Sequence, residues 1–123
     1  MVSRIVQWTL DVQDVGVMAA FWSAALGYRV DRGDDGCAKL FPPDDAPPAT
    51  PTVWLQASAG PKTGKNRNHP DLMTDDVDAE VRRLIGLGAR HVDIGQTGSE
   101  PLVVLADPEG NEFCVLRRAP RDF

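Results

Sequence analysis

The sequence predicts an α+β fold made of two βαβββ modules, and three observations predict it. They are an internal repeat, a period of two in the segment before each helix, and a helical apolar stripe closed by glycine in both halves. The repeat sets Trp8-Thr9-Leu10-Asp11-Val12-Gln13-Asp14 against Pro70-Asp71-Leu72-Met73-Thr74-Asp75-Asp76. After each helix it sets Leu26-Gly27-Tyr28-Arg29-Val30-Asp31 against Leu87-Gly88-Ala89-Arg90-His91-Val92-Asp93. Asp14 maps to Asp76 at an offset of 62 and Gly27 to Gly88 at an offset of 61, so the second helix is one residue shorter.

In the first module, residues 5–12 alternate. Val6, Trp8, Leu10 and Val12 lie on one face and Ile5, Gln7, Thr9 and Asp11 on the other, as in a half-buried strand. Asp14 has the short acceptor side chain of an N-cap. Val17, Met18, Phe21, Trp22, Ala25 and Leu26 follow at helical spacing, and Gly27 can take the left-handed conformation that ends a helix. Strands are expected over residues 28–31, 37–41 and 52–57. Between the last two, residues 42–51 hold five of the ten prolines, which blocks a hydrogen-bonded ladder and makes a stiff loop. Residues 58–65 form the expected linker.

The second module repeats the plan. Asp76 caps, Val77, Val81, Leu84 and Ile85 form the stripe, and Gly88 stops it. Strands are expected over residues 89–92, 102–106 and 112–116. The last two are joined by Asp107-Pro108-Glu109-Gly110-Asn111, where Pro108 presets φ and Gly110 or Asn111 supplies φ > 0. Phe21, Trp22 and Phe113 read as core.

Composition bounds the function. With 123 residues, 42% apolar and 25% charged, the chain matches one globular domain spanning 1–123, with module one over 1–57, the linker over 58–65 and module two over 66–123. A net charge of −5 disfavours nucleic acid, whose phosphates need a basic face. Neither an export signal nor a membrane span is expected, because no unbroken apolar run of the required length occurs. Cys37 and Cys114 stand in separate strands without a Cys-x-x-Cys spacing, which suggests neither a disulfide framework nor a zinc knuckle and fits the reducing cytoplasm.

Two βαβββ halves, Phe21-Trp22 shortly before Leu26-Gly27-Tyr28, and the Asp-Pro-Glu-Gly-Asn turn before the last strand together resemble the vicinal oxygen chelate superfamily of glyoxalases, extradiol dioxygenases and bleomycin and fosfomycin resistance proteins. Residues 65–72 (Lys-Asn-Arg-Asn-His-Pro-Asp-Leu), with 107–114, look most like its glyoxalase-like domain proteins. The resemblance implies a cupped mixed sheet around a small-molecule pocket, and a homodimer. In metal-using relatives a His stands seven residues before the Asp that opens each helix, and a Glu seven residues after the Asp of the final turn. Here those positions hold Gln7, His69 and Cys114, with a further ligand position near Trp54 or Gln56.

This set is depleted. Catalytic divalent cations are usually held by three or more His, Asp or Glu donors, and here one strong neutral donor remains. Gln7 and His69 are the candidate metal pair. Cys114 could join as a thiolate, or be a small buried apolar residue. His69 can donate, accept or shuttle a proton. Asp71, two residues along, should point the same way, so His69 and Asp71 form a candidate acid/base pair, or Asp71 orients the imidazole. Strand parity adds Thr9, Asp11 and Met73 to the ligand-facing set, while Trp54 and Gln56 share a face suited to a planar ligand unless Trp54 is core. Glu112 shares the parity of Cys114 but, at a strand's first position, is expected to be solvated. Lys62, Lys65 and Arg67 attract an anion or are a solvated linker.

The functional expectation is a small-molecule-binding protein, metal-independent or weakly metal-binding, without a certain cofactor and with a divalent metal as the candidate one. A metal-dependent lyase, isomerase or dioxygenase of the same superfamily is the alternative, and an interaction module without a pocket is the third.

Overall fold

The computed structural model describes residues 1–58 and 60–122. Residue 59 of the expected linker and residue 123 of the second module lie outside the described residues. The chain divides into two compact units, Met1–Pro61 and Lys62–Phe123, at a point inside the expected linker.

The first unit runs β1 (Gln7–Val12), α1 (Val15–Leu26), β2 (Arg29–Arg32), β3 (Ala38–Phe41) and β4 (Thr52–Ala57). Its sheet has the order β1-β4-β3-β2, with β1 parallel to β4 and the remaining pairs antiparallel. The second unit runs β5 (Asp71–Met73), α2 (Val77–Leu87), β6 (Arg90–His91), β7 (Leu102–Ala106) and β8 (Glu112–Leu116), in the order β5-β8-β7-β6. Again the first and last strands are parallel. Each half therefore forms its own open four-stranded mixed sheet, and the α+β fold of two βαβββ modules is the observed one. A short 3-10 turn, Pro120–Asp122, follows β8.

The caps form as their residue types dictate. Asp14 accepts from the Val17 N–H at 3.0 Å, and Asp76 accepts from the Ala79 N–H at 3.1 Å. Gly27 ends α1 at φ 69°, a left-handed geometry that a side chain would oppose, and its N–H reaches the Ser23 carbonyl. In the 107–111 turn, the fully buried Asp107 carboxylate accepts from the backbone N–H groups of Glu109 and Asn111 and from the Asn111 amide. Gly110 sits at φ 91° inside that turn.

The helices bury unequal faces. α1 is apolar nearly all round and buries Val15, Met18, Ala19, Phe21, Trp22 and Ala25 against β2, β3 and β4. Phe21 and Trp22 meet edge to face at 5.2 Å. Val17, expected in the stripe, is 47% exposed, because the apolar arc is wide enough that the buried sector centres on Met18 and Trp22 instead. α2 buries Val81 and Leu84, packs against β8, and leaves Ile85 at the rim, 39% exposed. Phe113 is fully buried, as expected of core.

Candidate functional site

Three side chains of the second unit converge. One ligand atom each from His69, Asp71 and Cys114 lies within 4.8 Å of the other two. The convergence follows from the backbone. Pro70 has no N–H to give to the ladder, so β5 begins only at Asp71, while the residue before a proline is pushed into extended backbone. His69 and Asp71 stand two positions apart and so share a side of the chain. The Pro70 carbonyl accepts from the Cys114 N–H at 3.0 Å, and Asp71 pairs with Cys114 in the parallel register. The thiol thus lies beside the residues that flank Pro70.

The surroundings are half apolar. Cys114 is 3% exposed and clusters with Val104 and Leu116, with Leu102, Val92 and Ile94 behind them, whereas Asp71 is exposed. Burial pushes the Cys114 thiol up to about 11, the Asp71 carboxylate adds to this by its charge and by accepting the S–H, and Lys65 pulls the other way. A thiol so protonated at neutral pH is a poor nucleophile, and it donates to the carboxylate rather than to the imidazole. The trio is not ordered as a Cys-His-Asp nucleophilic triad.

His69 is half-buried, and its Nδ1 is buried with no hydrogen-bond partner among the described residues. Such an orphan costs about 1–3 kcal/mol, which a ligand group or a metal ion would relieve. The donor chemistry of imidazole, carboxylate and potential thiolate therefore fits a divalent cation, with these three residues as its holders. Among the described residues this is the one group of three or more His, Cys, Asp or Glu side chains arranged to hold an ion.

Glu112 departs from expectation. It is 6% exposed rather than solvated, because Lys62 pairs with it at 2.8 Å and the Asn66 N–H donates to its other oxygen at 2.9 Å. Burial raises its carboxyl, but the Lys62 hydrogen bond and charge and the backbone N–H groups of Asn66 and Glu112 outweigh that and hold it below the ordinary carboxylate value. Lys62 also donates to the Gly64 carbonyl, and the Asn66 amide reaches Asn111 at 3.0 Å. Lys62 is thus held by an ion pair with its side chain 22% exposed, whereas Lys65 and Arg67 are exposed and make no ion pair with an acidic side chain among the described residues. No sequence signal short of the β8 register pairs Lys62 with Glu112.

The first unit presents the matching positions differently. Gln7 accepts from the Thr52 hydroxyl at 2.8 Å, and Asp11 accepts from the Ser58 hydroxyl at 3.1 Å. The half-buried Trp54 indole donates to Gln56 at 2.8 Å, and the Gln56 amide donates to the Cys37 sulfur at 3.3 Å. Trp54 and Gln56 do share a face, and Thr9 and Asp11 lie opposite them in the β1–β4 register. Met73, two residues beyond Asp71, is 59% exposed. The residues named from sequence therefore fall into two groups: Gln7, Thr9, Asp11, Trp54 and Gln56 in the first unit, and His69, Asp71, Met73 and Cys114 in the second. Both cysteines are free.

Comparison with solved structures finds the same architecture. The fosfomycin resistance protein FosX from Listeria monocytogenes aligns over 99% of this chain and 98% of its own with a TM-score of 0.74 at 15% identity. A mutant of the same FosX, complexed with Mn(II) and 1S,2S-dihydroxypropylphosphonic acid, gives 0.75 at 15% identity over 98% and 94% of the two chains. A glyoxalase/bleomycin resistance protein from Albidiferax ferrireducens T118 gives 0.66 at 21% identity over 95% and 100%. At these identities the likeness shows the fold. No curated protein matches the chain. A family model described as "Glyoxalase-like domain" matches residues 7–116, which span both four-stranded units and every candidate residue, and so the chain belongs to the glyoxalase-like domain family of the vicinal oxygen chelate superfamily.

Proposed function

We propose that this chain binds a small organic molecule through the face that carries His69, Asp71 and Cys114, and that any metal ion there is exchangeable rather than a permanent part. The observation that carries the reading is the buried, unpartnered His69 Nδ1 beside an exposed carboxylate, a polar pair set against apolar Val104 and Leu116. His69 offers a hydrogen bond or a proton to the ligand, and Asp71 sets an exposed carboxylate beside it. The ion is exchangeable because Asp71 faces water and Cys114 must first lose a proton held by its buried setting. The likeness to FosX, whose mutant complex holds a dihydroxypropylphosphonic acid, supports the small-ligand reading.

The test is a thermal-shift screen of small oxygen-rich organic acids and planar heteroaromatics on chelator-treated protein, with His69→Ala as the control. A hit lost in His69→Ala with the fold intact supports the reading. Stoichiometric metal that survives chelation would sink its exchangeable-ion clause. The second reading, a metal-dependent lyase, isomerase or dioxygenase, is favoured by the three-donor cluster. A bound cation would polarise a ligand oxygen as a Lewis acid. Metal-dependent turnover of any hit would decide for it. A homodimer is also proposed, and light scattering at working concentration checks it.

A further inference from the structure

We propose that His69, Asp71 and Cys114 form, within the second half alone, a site for one borderline-soft divalent cation of the zinc and cobalt class, and that the site discriminates against magnesium and manganese. This deepens the reading above, since it names the ion that the exchangeable site takes.

The argument starts from the donors. An imidazole, a carboxylate and a thiolate supply one neutral and two anionic ligands, a set that matches tetrahedral ions and leaves a fourth position for solvent or an organic oxygen. The thiolate decides the class, because sulfur favours softer ions while magnesium and manganese take oxygen-rich sites. Glu112, the further carboxylate on β8 that could harden the set, is committed to Lys62 and the Asn66 N–H. The site thus stays at one sulfur, one nitrogen and one oxygen donor.

Geometry and field agree with this. Cys114 is fixed on β8 by the bond from its N–H to the Pro70 carbonyl, whereas Asp71 is exposed and has room to turn onto an ion. Val104 and Leu116 keep water from the sulfur side, which strengthens attraction between a cation and the two anionic donors. Lys65 is exposed, and its opposing charge is screened by water. On binding, the S–H proton of Cys114 passes to solvent, a sulfur lone pair goes to the ion, and the Asp71 oxygen freed of the S–H hydrogen bond turns, still ionised, to the ion. No electron changes hands.

Cobalt(II) titration of the chelator-treated full chain tests the proposal. The expected result is a sulfur-to-cobalt charge-transfer band in the near ultraviolet, with visible tetrahedral absorption, saturating at one equivalent. One equivalent of zinc abolishes it, and about a hundredfold excess of magnesium or manganese leaves it standing. Cys114→Ser removes the charge-transfer band, and Cys37→Ser, in the other half, retains it. His69→Ala and Asp71→Asn weaken binding by more than about a hundredfold, above the loss typical of residues that only orient ligands. Should Cys114→Ser not fold, zinc protection of Cys114 from alkylation in the wild-type chain, read by mass spectrometry with Cys37 as internal reference, answers the same question. Absence of cobalt binding, a band that survives Cys114→Ser, or displacement by equimolar manganese overturns the proposal. The organic-ligand screen is run without metal, so failure there leaves this result intact, and the reverse.

Discussion

The two halves share a backbone plan and differ in what they place on it. Gln7, Thr9 and Trp54 occupy the positions that His69, Asp71 and Cys114 occupy in the second half. The cross-strand pair is Thr9 with Trp54 in one and Asp71 with Cys114 in the other. The caps are the same, Asp14 and Asp76, yet one half ends in a chain of indole, amide and sulfur hydrogen bonds and the other in a three-donor cluster. A βαβββ unit therefore constrains its caps and register tightly and leaves the exposed face of its first strand free to change chemistry. The helices differ in the opposite sense: α1 buries six residues and α2 two, so the half with the milder chemistry holds the heavier core.

The largest effect should come from breaking that heavier core. Trp22→Ala removes a side chain 6% exposed that meets Phe21 edge to face, and should cost about 3–5 kcal/mol. Ile85→Ala at the rim of α2, already 39% exposed, should cost under about 1 kcal/mol. Urea denaturation of both variants measures the ratio, and near-equal losses would overturn the unequal-core account.

Next comes the buried pair at the start of β8. Lys62→Met leaves the Glu112 carboxylate buried without its cation, and should cost about 2 kcal/mol, below the figure for a fully buried pair because Lys62 is 22% exposed. The pH dependence has a definite sign. The folded carboxyl lies below its ordinary value, so its contribution is complete above the unfolded carboxylate pKa and is lost as pH falls through the folded one. Urea midpoints measured from neutral pH down into the acid range should therefore converge for wild type and Lys62→Met as Glu112 protonates.

How far the sequence foretold all this depends on the range of the interaction. Local signals worked: Asp14 and Asp76 cap, Gly27 stops α1, and β4, β7 and β8 begin and end where alternation and turn residues put them. Family spacing pointed to His69 and Cys114, and strand parity added Asp71, so every member of the cluster was legible singly. Their mutual approach was not, because it depends on the parallel β5–β8 register and the Pro70 carbonyl contact. Glu112 was misjudged for the same reason. Its strand-first position says solvent, and only the linker segment folding back with Lys62 and Asn66 says otherwise. Val17 failed by geometry, since a helix apolar nearly all round does not announce its buried centre.

A smaller effect tests whether Asp71 governs the thiol. With its pKa near 11, Cys114 is protonated at neutral pH, so alkylation should accelerate with pH throughout the accessible range. Asp71→Asn removes the charge that, after burial, holds the proton, and in metal-free protein should speed alkylation of Cys114 by several-fold to about tenfold. Cys37, 2% exposed in the other half, its sulfur accepting from the Gln56 amide, should not change. Site-resolved mass spectrometry reads both rates in one sample.

The smallest effect is the most pointed use of the repeat. Thr52 and Glu112 hold equivalent places at the start of the last strand of each half, and each meets a polar partner: Gln7 for the hydroxyl, Lys62 for the carboxylate. Thr52→Val keeps the branched shape that suits a strand and removes one exposed hydrogen bond. Water takes the place of the hydroxyl at the exposed Gln7 oxygen, so the loss should stay within about 0.5 kcal/mol. Glu112→Val at the matching place strands two donors, the Lys62 ammonium and the Asn66 N–H. Equal losses from the two substitutions would mean that the Lys62 strap contributes nothing to the second half, and that its burial of Glu112 is incidental to the fold.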